Sequence, residues 1–182
     1  GICSIINFKN KIYKKTNNEI IEFDIKTEKL KKIVNSTEPI VDFHLQNDTM
    51  YVLTMFHFLH FNIHQPTKIK SKKLETGKMP RIFLLNKKIA LYCPDFKMII
   101  VNPHHQNPKI IALQDFNIND KSTCVRQLKD GNIYVGTFGG LYIYNSVGDL
   151  LQKCYKDVQI SSIFQDIESN IWLGTLQDGI RI

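Results

Sequence analysis

The stretch Asp130-Gly131-Asn132-Ile133-Tyr134-Val135-Gly136-Thr137-Phe138-Gly139-Gly140-Leu141-Tyr142-Ile143-Tyr144 decides the fold. Apolar residues fill two short runs, and Asp-Gly and Gly-Gly punctuate them, which is the pattern of strands joined by tight turns. Asp130-Gly131 predicts a two-residue hairpin, because Gly takes positive φ at no steric cost. The same phrase returns as Ser169-Asn170-Ile171-Trp172-Leu173-Gly174-Thr175. Looser copies are Lys11-Ile12-Tyr13-Lys14-Lys15-Thr16, Thr49-Met50-Tyr51-Val52-Leu53-Thr54 and Lys88-Ile89-Ala90-Leu91-Tyr92-Cys93. Anchored on Tyr13, Tyr51, Ala90, Tyr134 and Trp172, the steps are 38, 39, 44 and 38 residues. A period near 40 that contains only strand patterns is the signature of four-stranded units stacked as a β-propeller.

The clearest unit lays out as four strands: Thr123 to Leu128, Asn132 to Thr137, Leu141 to Asn145 and Leu150 to Tyr155. Third strands end at Phe23, Phe61, Val101, Tyr144 and Ile182, seven or eight residues after Thr16, Thr54, Cys93, Thr137 and Thr175. Asp24, Asn62, Asn102 and Asn145 follow four of them, and such residues satisfy their own turn backbone. The expected blades are 3–39, 40–80, 81–121, 122–159 and an incomplete 160–182. Longer outer hairpins fall at 65–73 and 103–108. The piece reads as part of a larger, seven-bladed ring, with self-association, as a homodimer, expected of its unpaired edges. Residues 20–34 carry some helical spacing, but the alternation of Ile21, Phe23 and Ile25 favours strands, and almost no helix is expected.

The 182 residues carry a net charge of +7 and 43 % hydrophobic content, ordinary for a globular domain. No apolar run approaches the roughly 20 residues of a membrane helix, and no signal peptide is recognisable. Any membrane attachment is therefore expected through parts outside this chain. Lys14, Lys15, Lys31, Lys32, Lys72, Lys73, Lys87 and Lys88 occur as pairs, whereas Arg stands only at 81, 126 and 181. Arg is the residue that reads phosphates and bases bidentately. The charge is read as a compositional bias and no nucleic acid is expected, with a basic polyanion-binding face as the competing reading. Cys3, Cys93, Cys124 and Cys154 show no CxxC spacing and are expected as free thiols.

His57, His60 and His64 invite a metal, but on a strand His60 and His64 point one way, about 13 Å apart at roughly 3.3 Å per residue, and His57 points the other. His104-His105 sits in a loop. Neither a metal nor a cofactor is expected. Asp42, Asp95, Asp130, Asp166 and His44 are the residues a propeller lyase or hydrolase would have to bring together. For Asp130 turn chemistry is the competing role. No catalytic motif is identified, and no residue is assigned to ligand contact. The recurrent Tyr13, Tyr51, Tyr134 and Trp172 read as interblade packing residues with the polar atom bonded at the core's edge, a sugar-stacking surface being the alternative.

The strings from Gln127 to Tyr144 and from Phe164 to Thr175 resemble the two-component regulator propeller repeat: an acidic residue, Gly-Asn-Ile-Trp, an aliphatic, Gly-Thr, then Gly-Leu and an aromatic-rich strand. The match covers residues 123–182, and the first three units lack Gly-Thr and Gly-Leu. The resemblance implies the extracytoplasmic, periplasmic sensor region of a bacterial hybrid histidine kinase working by phosphorelay. It implies a non-catalytic module that detects an oligosaccharide or other small ligand and relays it by domain or dimer rearrangement. A protein-interaction scaffold and a carbohydrate-active propeller enzyme stand as alternatives.

Overall fold

The computed structural model describes residues 5–74, 80–115 and 121–182; Cys3 lies outside them. The fold is an all-β propeller built of antiparallel meanders. Two compact units divide the chain, Gly1–Thr76 and Gly77–Ile182. The first holds blade 1, β1 (Ile5–Phe8), β2 (Lys11–Lys15), β3 (Glu19–Asp24) and β4 (Lys29–Asn35), and blade 2, β5 (Ile40–Gln46), β6 (Thr49–Thr54), β7 (His57–Asn62) and β8 (Lys70–Lys73). The second holds blade 3, β9 (Arg81–Leu85), β10 (Lys88–Cys93), β11 (Met98–Val101) and β12 (Lys109–Ala112), and blade 4, β13 (Ser122–Gln127), β14 (Ile133–Thr137), β15 (Gly140–Tyr144) and β16 (Leu150–Cys154). Blade 5 follows with β17 (Ile160–Gln165), β18 (Ile171–Thr175) and β19 (Ile180–Arg181), three strands among the described residues. The single helical segment described is one 3₁₀ turn, Pro94–Phe96, which takes the place of the turn after the second strand where Cys93 stands instead of Thr.

Period-two alternation sends successive residues to opposite faces of each blade. Ile133 and Val135 pack back with Val125, Tyr142 and Tyr144 onto Phe83, Leu85, Ala90 and Tyr92 of blade 3. Tyr134 and Leu141 look forward onto Ile160, Ile163 and Leu173 of blade 5. Both faces of β14 are therefore covered, which is why Ile133 to Gly136 carry no charged or amide side chain, as in a strand buried on both sides. In the first unit, Tyr13, Ile20 and Val34 meet Phe43, Leu45, Met50 and Val52 in the same manner. Each fully buried aliphatic side chain contributes about 1.5–3 kcal/mol.

The Gly-Thr motif has a packing cause and a turn cause. A Cβ on Gly136 would stand 2.6 Å from Cys124 Sγ and 2.8 Å from Ile160 Cγ2, where the first strand of blade 5 crosses. The recurrent Thr closes the turn after the second strand from within. Thr137 Oγ1 donates to Gly140 O (2.9 Å) and accepts from Gly139 N–H (3.0 Å). Thr16 does the same with Glu19 O and N–H, and Thr175 with Gly179 O and Asp178 N–H, whereas Thr54 Oγ1 accepts His57 N–H and gives its proton to Glu38 Oε2. After the third strand, Asp24, Asn62 and Asn145 accept turn N–H groups as their positions suggest.

One turn expectation is corrected. Asp130-Gly131 does not form a two-residue hairpin: Leu128 N–H bonds Asn132 O across a five-residue loop, with Gly131 at φ 81° inside it. The two-residue turns belong to blades 1 to 3, at Lys9-Asn10, Asn47-Asp48 and Asn86-Lys87, every one of these residues at positive φ. Those pairs lack glycine, and Asn, which tolerates this region, marks each of them.

Candidate functional site

The two acids singled out in the repeat hold its aromatic. Asp130 Oδ1 accepts Asn132 N–H (3.0 Å), and its Oδ2 accepts Asn132 Nδ2 (2.9 Å) and the Tyr134 hydroxyl (2.8 Å). Asp166, set two residues earlier in its loop, arrives at the same result. Its Oδ1 accepts Asn170 N–H (2.8 Å), and its Oδ2 accepts Asn170 Nδ2 (3.0 Å) and Trp172 Nε1 (2.8 Å). In blade 1 the partner comes from the neighbouring strand: Glu22 Oε2 accepts the Tyr13 hydroxyl (2.8 Å) and Oε1 accepts Lys11 Nζ (2.6 Å). The Trp172 hydrogen bond, ahead of those from Asn170, holds the Asp166 carboxyl below the usual carboxylate range. Burial first, then the Asp130 hydrogen bond, pushes the Tyr134 phenol up to about 12, so it stays neutral and donates. Asp130 and Asp166 are thus engaged in turn and packing geometry.

Asp95 lies elsewhere in the second unit, in the turn after β10, whereas the Asp130 and Asp166 loops precede β14 and β18. A second strand of five or six residues separates these two ends of a blade, roughly 17–20 Å at about 3.3 Å per residue. Asp95 thus stands at the other end of a blade from the Asp130 and Asp166 loops, beyond the roughly 5–9 Å that glycoside chemistry asks of a carboxylate pair. Asp42 and His44 share a face of β5, where Asp42 Oδ1 accepts Phe43 N–H (2.9 Å) and His44 stands opposite Tyr51.

The histidines part company. His57 Nδ1 meets Glu38 Oε1 (2.9 Å), whose other oxygen accepts the Thr54 hydroxyl (2.6 Å). His60 stacks on Tyr51 (6.2 Å between centroids), which also stacks on Phe58 (6.0 Å). Burial, then Lys70, lowers the His60 pKa. His64 falls beyond the end of β7 rather than on it, 3.8 Å from Asp48. Its expected alignment with His60 along one strand is thereby corrected. His104 and His105 lie edge to face in the loop after β11. No group of three or more His, Cys, Asp and Glu converges among the described residues. Cys93, Cys124 and Cys154 are free thiols, and burial raises the Cys93 pKa to about 12.

A cleft of about 400 Å³ opens between blades 4 and 5. Leu141, Ile143, Ile171, Leu173 and Ile182 form its apolar wall, and Tyr134, Tyr155, Ser169, Asn170 and Cys154 supply polar atoms. It is a groove open to solvent, with an apolar wall and a few polar groups along it. Burial raises the Cys154 thiol, which stays protonated there. Contacts that the sequence reading did not foresee join neighbouring blades. Lys129 Nζ reaches Asp166 O (2.8 Å), Ile167 O (3.0 Å) and Ser169 Oγ (3.4 Å). Gln165 Oε1 accepts Lys129 N–H (2.8 Å), as Gln127 Oε1 accepts Asn86 N–H (2.6 Å) between blades 3 and 4. The available signal was a Gln 38 residues apart at one repeat position.

No family model matches the chain, and no curated protein does. Several solved structures share the fold. A catalytically inactive virginiamycin B lyase from Staphylococcus aureus with quinupristin superposes with a TM-score of 0.75 at 11 % identity, over 97 % of this chain and 67 % of that one. The extracellular domain of BT4673 from B. thetaiotaomicron, assigned to a hybrid two component system, gives 0.72 at 15 % identity, over 97 % of this chain and 25 % of that one. The N-terminal domain of Nup159 gives 0.63 at 10 % identity, over 94 % and 57 %. This chain is thus similar to a sensor's extracellular domain, an enzyme and a further propeller protein, at identities that establish the fold alone.

Proposed function

We propose that this chain is a non-catalytic ligand-sensing module of a bacterial two-component signalling protein, placed outside the cytoplasm. The observation that carries the reading is the open groove between blades 4 and 5, walled by aliphatics and lined also by Tyr134, Tyr155, Ser169 and Asn170. A sugar ring has an apolar face for such a wall and hydroxyls for such a rim, so the ligand class is an oligosaccharide or a comparably amphipathic small molecule. The likeness to the BT4673 extracellular domain supports the sensor reading. The engagement of Asp130 and Asp166 with Tyr134 and Trp172 supports binding over catalysis. Ligand closing the cleft would draw blades 4 and 5 together, and a domain or dimer rearrangement would carry that change onward.

The test is calorimetric titration with a panel of oligosaccharides, on the unmodified chain and on a variant with the cleft filled, Ile143→Trp. The reading expects saturable binding that falls about tenfold or more in the variant, a loss of about 1.4 kcal/mol or more, with folding retained by circular dichroism. Binding that survives Ile143→Trp unchanged, or no binding across the panel, overturns it. Light scattering on the same samples reports whether the chain self-associates and whether ligand alters that state.

A further inference from the structure

The groove between blades 4 and 5 is framed by charged groups that do not line it. Among the described residues along it none is charged at neutral pH. The loops that lead into β14 and β18 nevertheless carry Lys129, Asp130, Asp166 and Glu168. Those acids take up the hydrogen-bond donors of the lining side chains. The single hydroxyl proton of Tyr134 goes to Asp130 Oδ2 (2.8 Å). The Asn170 amide nitrogen meets two carboxylates, Asp166 Oδ2 at 3.0 Å and Glu168 Oε2 at 3.4 Å. An amide between two carboxylates must turn its nitrogen to them, which leaves Asn170 Oδ1 as an acceptor. Tyr134 keeps lone pairs but has no further proton to give. Ser169 Oγ already accepts from Lys129 Nζ (3.4 Å). The lining is thus biased toward acceptors, on Asn170 and Tyr134, beside an apolar wall of Leu141, Ile143, Ile171 and Leu173.

We infer that the groove selects an uncharged ligand that donates hydrogen bonds, a neutral sugar chain over an acidic or an amino sugar chain. The inference rests on the reading of the groove as a ligand site and narrows it. Neutral sugar hydroxyls have protons to give to Asn170 Oδ1 and the Tyr134 oxygen. A carboxylate or sulfate has none, and it would approach acceptors backed by Asp130, Asp166 and Glu168. An ammonium would meet Lys129, whose Nζ is held at Asp166 O, Ile167 O and Ser169 Oγ. The aliphatic wall returns nothing for the water that either ion gives up. Asp166 and Glu168 are positioning residues here, acting through the Asn170 amide.

The experiment titrates the intact chain with three β-1,4-linked hexamers on one backbone, of glucose, glucuronic acid and glucosamine. A mildly acidic buffer keeps the amine protonated and the uronate ionised, and each titration is run at low and at high salt. The expected result is a glucose hexamer bound about tenfold or more tighter than either charged one, indifferent to salt, and released by Ile143→Trp. Rejection of the charged hexamers should ease as salt screens the loops. In the double variant Asp166→Asn with Glu168→Gln, the glucuronate hexamer should gain about tenfold relative to the glucose hexamer. A merely structural loss would weaken all three alike, so an unchanged ratio overturns the inference. Glu168→Gln alone, at an exposed side chain, repeats the comparison with a smaller gain if the double variant does not fold. A charged hexamer bound as tightly as the neutral one overturns this inference and leaves the groove a ligand site. No binding that Ile143→Trp removes, from any of the three, overturns the groove reading and this inference with it.

Discussion

Blades 1 to 3 and blades 4 and 5 join their first two strands differently. The former use two residues at positive φ, Lys9-Asn10, Asn47-Asp48 and Asn86-Lys87; the latter use five-residue loops closed by Leu128–Asn132 and Asp166–Asn170 backbone bonds. The longer loop brings a carboxylate back over the second strand, where it takes the polar atom of Tyr134 or Trp172. The two-residue turn has no such reach, so Tyr13 is served by Glu22 from the adjoining strand. One repeat position, an aromatic at the blade interface, is thus satisfied by two unrelated local devices. What the repeat preserves is the packing requirement, and each turn solves its polar remainder as its length allows.

If packing is the shared requirement, truncating the interface should outweigh any loop change. Ile160→Ala, at a fully buried side chain between blades 4 and 5, is expected to cost about 2–5 kcal/mol, read by urea denaturation. A cost below that of the loop variants would reverse the ranking. Gly136→Ala comes next, at about 1–3 kcal/mol, because its Cβ enters space held by Cys124 and Ile160. Gly131→Ala, with nothing within 4 Å, tests backbone strain alone and should cost less.

Removing the polar bond comes third. Tyr134→Phe deletes the hydroxyl that donates to Asp130 and should cost about 0.5–1.5 kcal/mol. Asp130→Ala in the same background should then cost less than it does alone, since the two act as one pair. Equal costs in both backgrounds would show that the loop bonds to Asn132, not the aromatic, are what Asp130 serves. Acid titration addresses the Asp166 counterpart. Its folded pKa is depressed, so its contribution is present above the unfolded carboxylate value, near 3.9, and fades as pH falls through the lower folded value. Trp172 fluorescence followed down in pH should change in that acid range, and Asp166→Asn should remove the change.

The smallest effect is expected at a short turn. Lys87→Gly, at φ 61°, relieves a left-handed side chain and should stabilise the protein by about 0.5–1 kcal/mol, seen as a raised melting temperature.

These two turn classes also show what the sequence made legible. Period, strand alternation and the Gly136-Thr137 spacing come from packing, which repeats, and so the fold could be read. The short turns were missed because Lys9-Asn10 and Asn86-Lys87 carry no glycine, and the Asp-Gly pair that looked like one belongs to a longer loop. The Asp166–Trp172 bond joins residues six apart through a loop whose shape no residue type announces. The lysines of blade 2 looked like a diffuse bias in the sequence. Only the register shows that Lys70 and Lys73 stand opposite His60 and His57, whereas Lys29 and Lys31 of blade 1 stand opposite Asp24 and Glu22. The cleft depends on which side chains two sheets present to each other, and no motif marks that.

The glutamine contact between blades has a consequence for how such a chain could arise. Gln127 and Gln165 each accept from a main-chain N–H of the preceding blade, of Asn86 and of Lys129. A peptide N–H is offered by nearly every residue, so the latch does not depend on which side chain its neighbour carries. A blade copied in tandem by gene duplication would find its catch already present, and the two copies could then diverge in sequence without coming apart.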